Sequence, residues 1–275
     1  MATRSKKQSK TPAKAATPAP GKSTVAAVRA GGGGGVKGAK KGATWENIKG
    51  ILGAVLLFLF LRTFLIEAYR IPSPSMVPAL LVGDWLFVNK LVYGPHIPFT
   101  NINLPGYSDP KRYEIAVFVS PVQVDQPHDP TPTLVKRVVG LPGDTLHMRN
   151  GRLFLNGVEQ TQGYGDLSPK GDPDEVSGLF DWQKQYSLNQ SRFGSAPEQP
   201  THDNWGPLVI PARYYFMMGD NRYQSKDSRY WGIVPRENFR GRPMFVYYSW
   251  NQDDSDRPLP FITDIRWRRI FHRIK

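Results

Sequence analysis

Cysteine is absent from the 275 residues, which excludes disulfides, thiolate nucleophiles and cysteine-ligated metals. Histidine is scarce, and no two of the five residues have the spacing of a His-Glu-x-x-His zinc motif. We therefore expect no metal and no cofactor. A Ser-His-Asp triad stays open, because the order of its members along a chain is not fixed.

Net positive charge is small outside the amino-terminal arm, although the whole chain carries a net charge of +13. Residues 1–50 contain eleven Lys and Arg against Glu46 alone, and so account for +10 of this charge. Their Ala, Pro, Gly and Thr content cannot form a buried core, and residues 1–47 are predicted to be a disordered basic arm. The remainder is almost neutral, which argues against a nucleic-acid partner.

One apolar run has the length of a membrane span. Residues 48–66 would form a helix about 28 Å long, close to the thickness of a bilayer's hydrocarbon core. A buried core helix is the alternative, whereas a cleaved leader is disfavoured by the long basic segment before the run. We predict a transmembrane helix over 48–67, with residues 1–47 cytoplasmic and the rest exported, because basic flanks stay inside.

The exported part is predicted to be mainly β, with short strands and tight turns. Apolar or alternating runs predict strands at 85–88, 115–119, 134–139, 214–218 and 244–248, and a hairpin at 151–159 around Asn156-Gly157. Residues 160–206 are polar and weakly periodic, which indicates an insertion. The tail has apolar residues at 267, 270, 271 and 274, a helical spacing with basic residues between them. Such a tail would lie on a membrane surface or cap the domain.

Two serines follow the apolar run in the segment 69–80. Prolines at 72, 74 and 78 exclude a regular helix there, so the backbone is expected to be extended or turned. In extended chain the side chains of Ser73 and Ser75 would lie on the same side. A proline-rich linker is the alternative interpretation of this segment alone.

Lys136 interrupts the apolar, β-branched run 134–139. Lys136 and Arg137 alternate in a strand, so one of them should point into the interior or a cleft. A lysine in apolar surroundings has a lowered pKa and can then take a proton from a serine hydroxyl. The alternative is an edge-strand lysine that reaches solvent. A third polar stretch, 219–232, contains Asp227 and Arg229, which form a natural ion pair.

Taken together, the segments 72–78, 136–144 and 219–232 resemble the signature motifs of bacterial type I signal peptidases, which are serine proteases with a Ser-Lys dyad. The motifs occur in the family's order after a membrane anchor, and the resemblance extends roughly over residues 61–245. It implies a mainly β fold in which coiled antiparallel sheets form the catalytic core, with an inserted β subdomain and one preceding transmembrane helix. The expected divisions are a core at 68–146 and 213–275 and an insertion at 147–212.

The resemblance also implies roles for single residues. Ser75 is expected to be the nucleophile and Lys136 the general base, with Ser73 and the Ser75 backbone N–H forming the oxyanion hole. Ser225 would hydrogen-bond and orient Lys136, and Asp227 and Arg229 would brace the site. The pockets for small substrate side chains at −1 and −3 would be lined by Ile71, Met76, Leu80 and Val135.

The chain departs from the family pattern at a few positions. Tyr223-Gln224 replaces the usual Asp-Asn, Ala79 a common Thr, Pro74 a frequent Gly, and Glu114 a frequent Asp. None of these carries an expected catalytic atom.

The resemblance implies an endopeptidase of the bacterial inner membrane that removes signal peptides from exported preproteins, with lipid as its other partner. Two other classes were weighed. A membrane-tethered binding or assembly protein would not depend on the two dyad residues. A penicillin-recognising acyl transferase needs Ser-x-x-Lys on a helix, and position 78 is Pro.

Overall fold

The structure is a computed structural model that describes residues 41–100, 102–160, 174, 176–188 and 193–274. Residues 1–40 of the predicted basic arm, and the stretches 161–173 and 189–192 of the predicted insertion, lie outside the described residues. Side chains are described from Trp45 onward.

The apolar run forms helix α1, Lys41–Phe60, which continues as a π-helical turn over Leu61–Leu65. Its 21-residue segment Trp45–Leu65 contains an 18-residue window with a mean hydropathy of 2.0, and none of that window is buried against the protein. Among the described residues it is the one helix long and apolar enough to cross a membrane. The predicted span 48–67 differs at both ends: the helix starts earlier, and Ile66 and Glu67 already belong to the first strand.

Seven strands form the larger sheet, and all their pairings are antiparallel. They are β1 (Ile66–Arg70), β2 (Asp84–Asn89), β3 (Ile115–Val119), β4 (Thr133–Gly140), β9 (Tyr214–Met218), β10 (Val234–Pro235) and β11 (Phe239–Ser249). Their order across the sheet is β1-β2-β11-β3-β4-β9-β10. Strand β4 therefore lies inside the sheet, between β3 and β9, and not at an edge.

A second, smaller sheet is built from the chain between β4 and β9. Its strands are β5 (Thr145–Arg149), β6 (Arg152–Leu155), β7 (Val158–Glu159) and β8 (Trp205–Val209), in the order β7-β6-β5-β8. The predicted hairpin is present, because Asn156 and Gly157 adopt the positive φ angles of 51° and 87° that the turn between β6 and β7 requires. The mainly β fold with one preceding apolar helix is confirmed.

Alternating side chains of β3 pack into two different apolar clusters. Ala116 and Phe118 belong to a cluster with Val138 and Met217, whereas Ile115 and Val117 join the residues around the two serines. Both faces of this strand are thus covered, which agrees with its unbroken apolar sequence. Strand β3 and its neighbour β4 consequently lie in the interior of the larger sheet.

The tail is not the helix that its spacing predicted. Residues Trp267–Arg269 form a single 3-10 turn, after which the chain runs along the middle of β11. Backbone hydrogen bonds join Phe271 to Val246 and Ile274 to Met244. Trp267 and Phe271 are exposed, and Ile274 packs against the cluster around the serines. Pairing with a free strand segment has overridden the helical periodicity of this short stretch.

Candidate active site

Ser75 lies in a single 3-10 turn, Pro74–Met76, that follows directly on extended backbone at Ser73. Proline at the first position of the turn has a suitable fixed φ and no N–H to leave unpaired. The Ser75 carbonyl accepts a hydrogen bond from the Asn221 backbone N–H at 3.1 Å. The turn is thereby tied to the 219–232 stretch, and Ser75 is left only 7% exposed.

Lys136 is placed on β4, opposite Ala116 of β3, and is 3% exposed. Its Nζ lies 2.6 Å from the Ser75 Oγ, a hydrogen-bond distance between residues 61 positions apart. An edge-strand lysine in solvent, the alternative from sequence, is excluded because β4 has a neighbour on each side. The two residues on which the Ser-Lys hypothesis depends are in direct contact.

The surroundings of Lys136 lower its pKa from 10.5 to about 8. Burial is the largest cause, because it disfavours the charged ammonium. The negative charges of Asp227 and Asp220 raise the pKa of Lys136, because they favour the ammonium. The positive charge of Arg229 lowers it further. At neutral or slightly alkaline pH a substantial fraction of the amine is therefore uncharged.

The Ser73 hydroxyl lies beside the candidate nucleophile, with 3.3 Å between the two Oγ atoms. The two side chains are thus on the same side, as their spacing predicts. Ser73 is exposed, so its hydroxyl is free to turn toward a bound carbonyl.

Asp227 and Arg229 form an ion pair in which both side chains are fully buried. Arg229 donates from Nε to Asp227 Oδ1 and from Nη2 to Oδ2, each at 2.8 Å. Burial alone would raise the pKa of Asp227, but this guanidinium and the Gly219 N–H hold it below its usual range. Asp227 is therefore a permanent carboxylate at the edge of the site.

Ser225 does not have the contact that the resemblance implies. Its hydroxyl donates to Asp227 Oδ2 at 2.9 Å, and the described residues show no hydrogen bond between Ser225 and Lys136. The reason is that the Asp227 carboxylate, a stronger acceptor, lies two residues further along the same loop. Any influence of Ser225 on Lys136 passes through Asp227.

The four residues expected to line the substrate pockets belong to one apolar cluster. Ile71, Met76 and Leu80 are 4%, 1% and 0% exposed, and Val135 packs partly buried against them. Because β4 carries both Val135 and Lys136, the apolar cluster begins next to the base.

Two features of the site were not singled out from the sequence. Gly219 packs so closely on the site that a Cβ there would lie 2.5 Å from the Ser75 carbonyl oxygen and against the Ser225 side chain. Arg137, on the other face of β4, is also buried and forms a two-pronged ion pair with Asp220 at 2.7 and 2.8 Å. Asp220 and Asn221 follow Gly219 directly, so the clustering of small and polar residues there was the available signal.

Comparisons with known proteins agree with this geometry. The family model described as signal peptidase, peptidase S26, matches residues 44–250. A signal peptidase I of Pseudomonas fluorescens is 34% identical over 223 residues, which is 74% of this chain and 72% of that protein. The signal peptidase I of Pseudomonas aeruginosa is 34% identical over 226 residues, with the same two coverages. That of Leptolyngbya laminosa is 33% identical over 217 residues, 78% of this chain and 85% of that protein.

The matched region contains α1, both sheets and all three motifs, so the match is not limited to the anchor or to one strand pair. Relatives above 30% identity cover most of both chains. The chain therefore belongs to the signal peptidase I family, the serine peptidases of family S26.

Proposed function

We propose that this chain removes amino-terminal signal peptides from exported preproteins with Ser75 as the nucleophile and Lys136 as the general base. The observation that carries the proposal is the 2.6 Å contact between Lys136 Nζ and Ser75 Oγ in a site where the amine is 3% exposed. A buried amine with a pKa near 8 is a competent base close to neutral pH.

The proposed reaction has two halves. Neutral Lys136 accepts the Ser75 proton while Oγ attacks the carbonyl carbon of the scissile peptide bond, and the resulting ammonium then protonates the leaving amine. This leaves the signal peptide as an ester on Ser75 and releases the mature protein. In the second half Lys136 takes a proton from water, whose oxygen attacks the ester, and returns it to Ser75.

The negative oxygen that develops on the substrate carbonyl needs donors. The Ser75 backbone N–H and the Ser73 hydroxyl are the proposed pair, since Ser73 Oγ lies 3.3 Å from the nucleophile and is otherwise exposed. Loss of one such donor costs about 3–4 kcal/mol of transition-state stabilisation. Asp227, held by Arg229 and Ser225, keeps a fixed charge beside the base.

Substrate selection is proposed to depend on the apolar cluster of Ile71, Met76, Leu80 and Val135. These side chains leave little free volume, so large residues at −1 and −3 of the cleavage site would have to displace packed core atoms. Alanine-sized residues need no such displacement. A preference for small residues at both positions follows.

The apolar helix supports a location in the inner membrane of a bacterium, with the amino terminus cytoplasmic and the catalytic domain on the outer side. Ser75 follows Ile66 by nine residues, at most about 30 Å of extended chain. Cleavage is then confined to the region where a signal helix leaves the bilayer, and membrane lipid is a partner of the anchor. We also propose residues 147–212 as an insertion in a core formed by 68–146 and 213–275.

The test is cleavage of a purified preprotein by the full chain and two variants, Ser75→Ala and Lys136→Met. Both substitutions should lower kcat/KM by about a thousandfold or more, because each removes a member of the dyad. Lys184→Met is the matched control, since that lysine is exposed and pairs only with Asp181 on the same turn.

The wild-type kcat/KM should rise with pH up to about pH 8 and then level off, because only the neutral amine acts as base. EDTA should leave the activity unchanged, because the proposed reaction uses only side chains and water. Retained cleavage in either variant would remove that residue from its proposed role. A wild-type protein that does not cleave the preprotein, with a cellular function unchanged in both variants, would favour a binding or assembly role.

A further inference from the structure

Arg229 is linked to more than Asp227. Its Nη2 also donates to the Arg222 carbonyl at 2.6 Å, and among the described residues its Nη1 has one partner, the His202 ring nitrogen Nε2. Arg229 is completely buried, so no solvent replaces this partner. A buried guanidinium that lost it would have an unpaired donor in a low-dielectric site.

The tautomer of His202 follows from its neighbours. A guanidinium only donates hydrogen bonds, so the contact with Arg229 requires the His202 tautomer that is protonated on Nδ1. Nε2 also lies 3.1 Å from the Arg222 carbonyl oxygen, and in this tautomer that oxygen accepts its hydrogen bond from Arg229 Nη2 instead. Nδ1 then donates to Asp203 Oδ1 at 2.6 Å. The Asp203 backbone N–H in turn donates to the Asp174 carboxylate at 3.0 Å, and this bond helps to fix the position of Asp203.

Tyr223, one of the departures from the family pattern, completes this arrangement. Its ring centroid lies 5.2 Å from that of His202, and its hydroxyl donates to the second Asp203 oxygen at 3.3 Å. The Tyr230 ring lies on the His202 ring as well, with centroids 6.1 Å apart. His202 therefore has polar partners at both ring nitrogens and aromatic rings beside it, and its side chain is 14% exposed.

The chain segments that meet here are distant in sequence. His202 and Asp203 precede β8 of the smaller sheet, whereas Arg229 and Asp227 lie in the loop that follows β9 of the larger sheet. Asp227, Arg229 and Asp220 are the charged groups that act on Lys136. His202, which precedes a strand of the smaller sheet, thus contacts Arg229, one of the charged residues that act on Lys136.

We propose that His202, oriented by Asp203, is a positioning residue for catalysis: its Nε2 holds the Arg229 guanidinium against Asp227 and so fixes the charges beside Lys136. The inference rests on the proposed role of Lys136 as general base. It gives the segment between the two halves of the core a specific contribution to the reaction. Without the His202 contact, Arg229 neutralises Asp227 less completely, and the Asp227 charge then favours the protonated amine more strongly.

The experiment compares the pH dependence of kcat/KM for the full chain and two variants, His202→Leu and His202→Gln. His202→Leu removes the acceptor, and we expect a loss of about tenfold, because small displacements of a catalytic group are costly. The limb that reports Lys136 deprotonation should move to higher pH by about half a unit or more. His202→Gln retains an acceptor at the position of Nε2. Its kcat/KM and the pH of its limb should therefore be close to those of the wild type.

His128→Leu is the matched control, because this histidine is exposed in the loop between β3 and β4 and should leave the profile unchanged. If His202→Leu does not fold, His202→Asn replaces it, since its shorter amide does not reach Arg229. An unmoved pH limb overturns the inference, and so does a glutamine variant no better than leucine. If Ser75→Ala and Lys136→Met also retained cleavage, the proposed roles of Ser75 and Lys136 would be wrong. If these two variants lose cleavage but the His202 results are negative, only the inference about His202 is wrong.

Discussion

At the scale of single residues, the burial of Lys136 costs stability as well as enabling chemistry. In the unfolded chain the pKa of a lysine is near 10.5, whereas the pKa of Lys136 in the folded protein is about 8. Between these two values the unfolded chain binds more protons, so the free energy of unfolding rises with pH over this window. Below about pH 8 Lys136 is charged in the folded protein too, and the full cost of burying the ammonium then lowers the free energy of unfolding.

Lys136→Met should therefore stabilise the protein at pH 7 while abolishing activity. The expected gain is up to about 3 kcal/mol, the free-energy equivalent of the pKa shift, and it should disappear as the pH approaches 10.5. Chemical denaturation of both proteins in detergent at pH 7, 9 and 10.5 measures it. A variant that is less stable than wild type at pH 7 would show that the amine is not buried as described.

Gly219 is the second residue whose substitution should be informative. Gly219→Ala would place a Cβ against the Ser75 carbonyl and the Ser225 side chain, and the turn that carries the nucleophile must then move. We expect kcat/KM to fall by about a hundredfold, because a displacement of this size separates Ser75 from Lys136. Gly178→Ala is the control, since its nearest neighbour would be 3.9 Å away. Equal activities of the two variants in preprotein cleavage would contradict the close packing at 219.

At the scale of elements, the tail fixes the loop between the nucleophile and β2. Arg269 donates to both oxygens of Asp84 and to the Ala79 carbonyl, and Ser249 of β11 donates to Asp84 at 2.7 Å. Asp84 is fully buried, so this network balances its charge. The carboxyl-terminal residues thus stabilise the segment that follows Ser75.

Arg269→Ala should consequently destabilise the protein strongly. Removal of one partner of a buried ion pair leaves an unbalanced charge and costs about 3–5 kcal/mol. Arg268→Ala is the matched control, because the neighbouring arginine is exposed and should change the free energy of unfolding by less than about 0.5 kcal/mol. Thermal and urea unfolding of the two variants provide the comparison, and similar stabilities would mean that Asp84 is balanced by other groups.

The success of sequence-based prediction varied from element to element for physical reasons. Strand β3 has the predicted bounds, because its apolar residues point to both faces of the sheet and the first four of the five are buried. Strand β1 was missed, since Ile66 continues the apolar run of the helix, and β8 was missed because it contains Gly206 and Pro207. The tail was predicted as a helix, but seven or eight residues of periodicity do not outweigh available strand pairing.

The candidate site, too, could be predicted from the sequence only in part. Ser75 and Lys136 were proposed by resemblance to a family, while composition and spacing left a linker serine and a surface lysine equally open. Contacts that depend on the arrangement of distant loops, such as those of Gly219 and His202, leave no local pattern in the sequence. The Ser225–Lys136 hydrogen bond was expected by analogy, yet the nearby Asp227 carboxylate binds the hydroxyl instead.

At the scale of the whole molecule, the proposed topology is directly testable. With eleven basic residues before and within the start of the apolar helix, the amino terminus should stay in the cytoplasm. In bacterial spheroplasts, protease added outside should digest an epitope tag placed after residue 275 and spare one placed before residue 1. The opposite pattern would contradict the orientation. A tagged protein of known topology in the same cells serves as the control.

The junction between the helix and the larger sheet has a consequence for the choice of cleavage site. The π-helical turn ends at Leu65 and β1 begins at Ile66, so no flexible tether separates the anchor from the sheet. Five hydrogen-bonded strand residues, about 17 Å, then lead toward the nucleophile. If the helix spans the membrane as proposed, this short connection sets the distance of Ser75 from the lipid. A preprotein whose scissile bond lies much nearer to its own apolar segment, or much farther from it, should then be cleaved poorly.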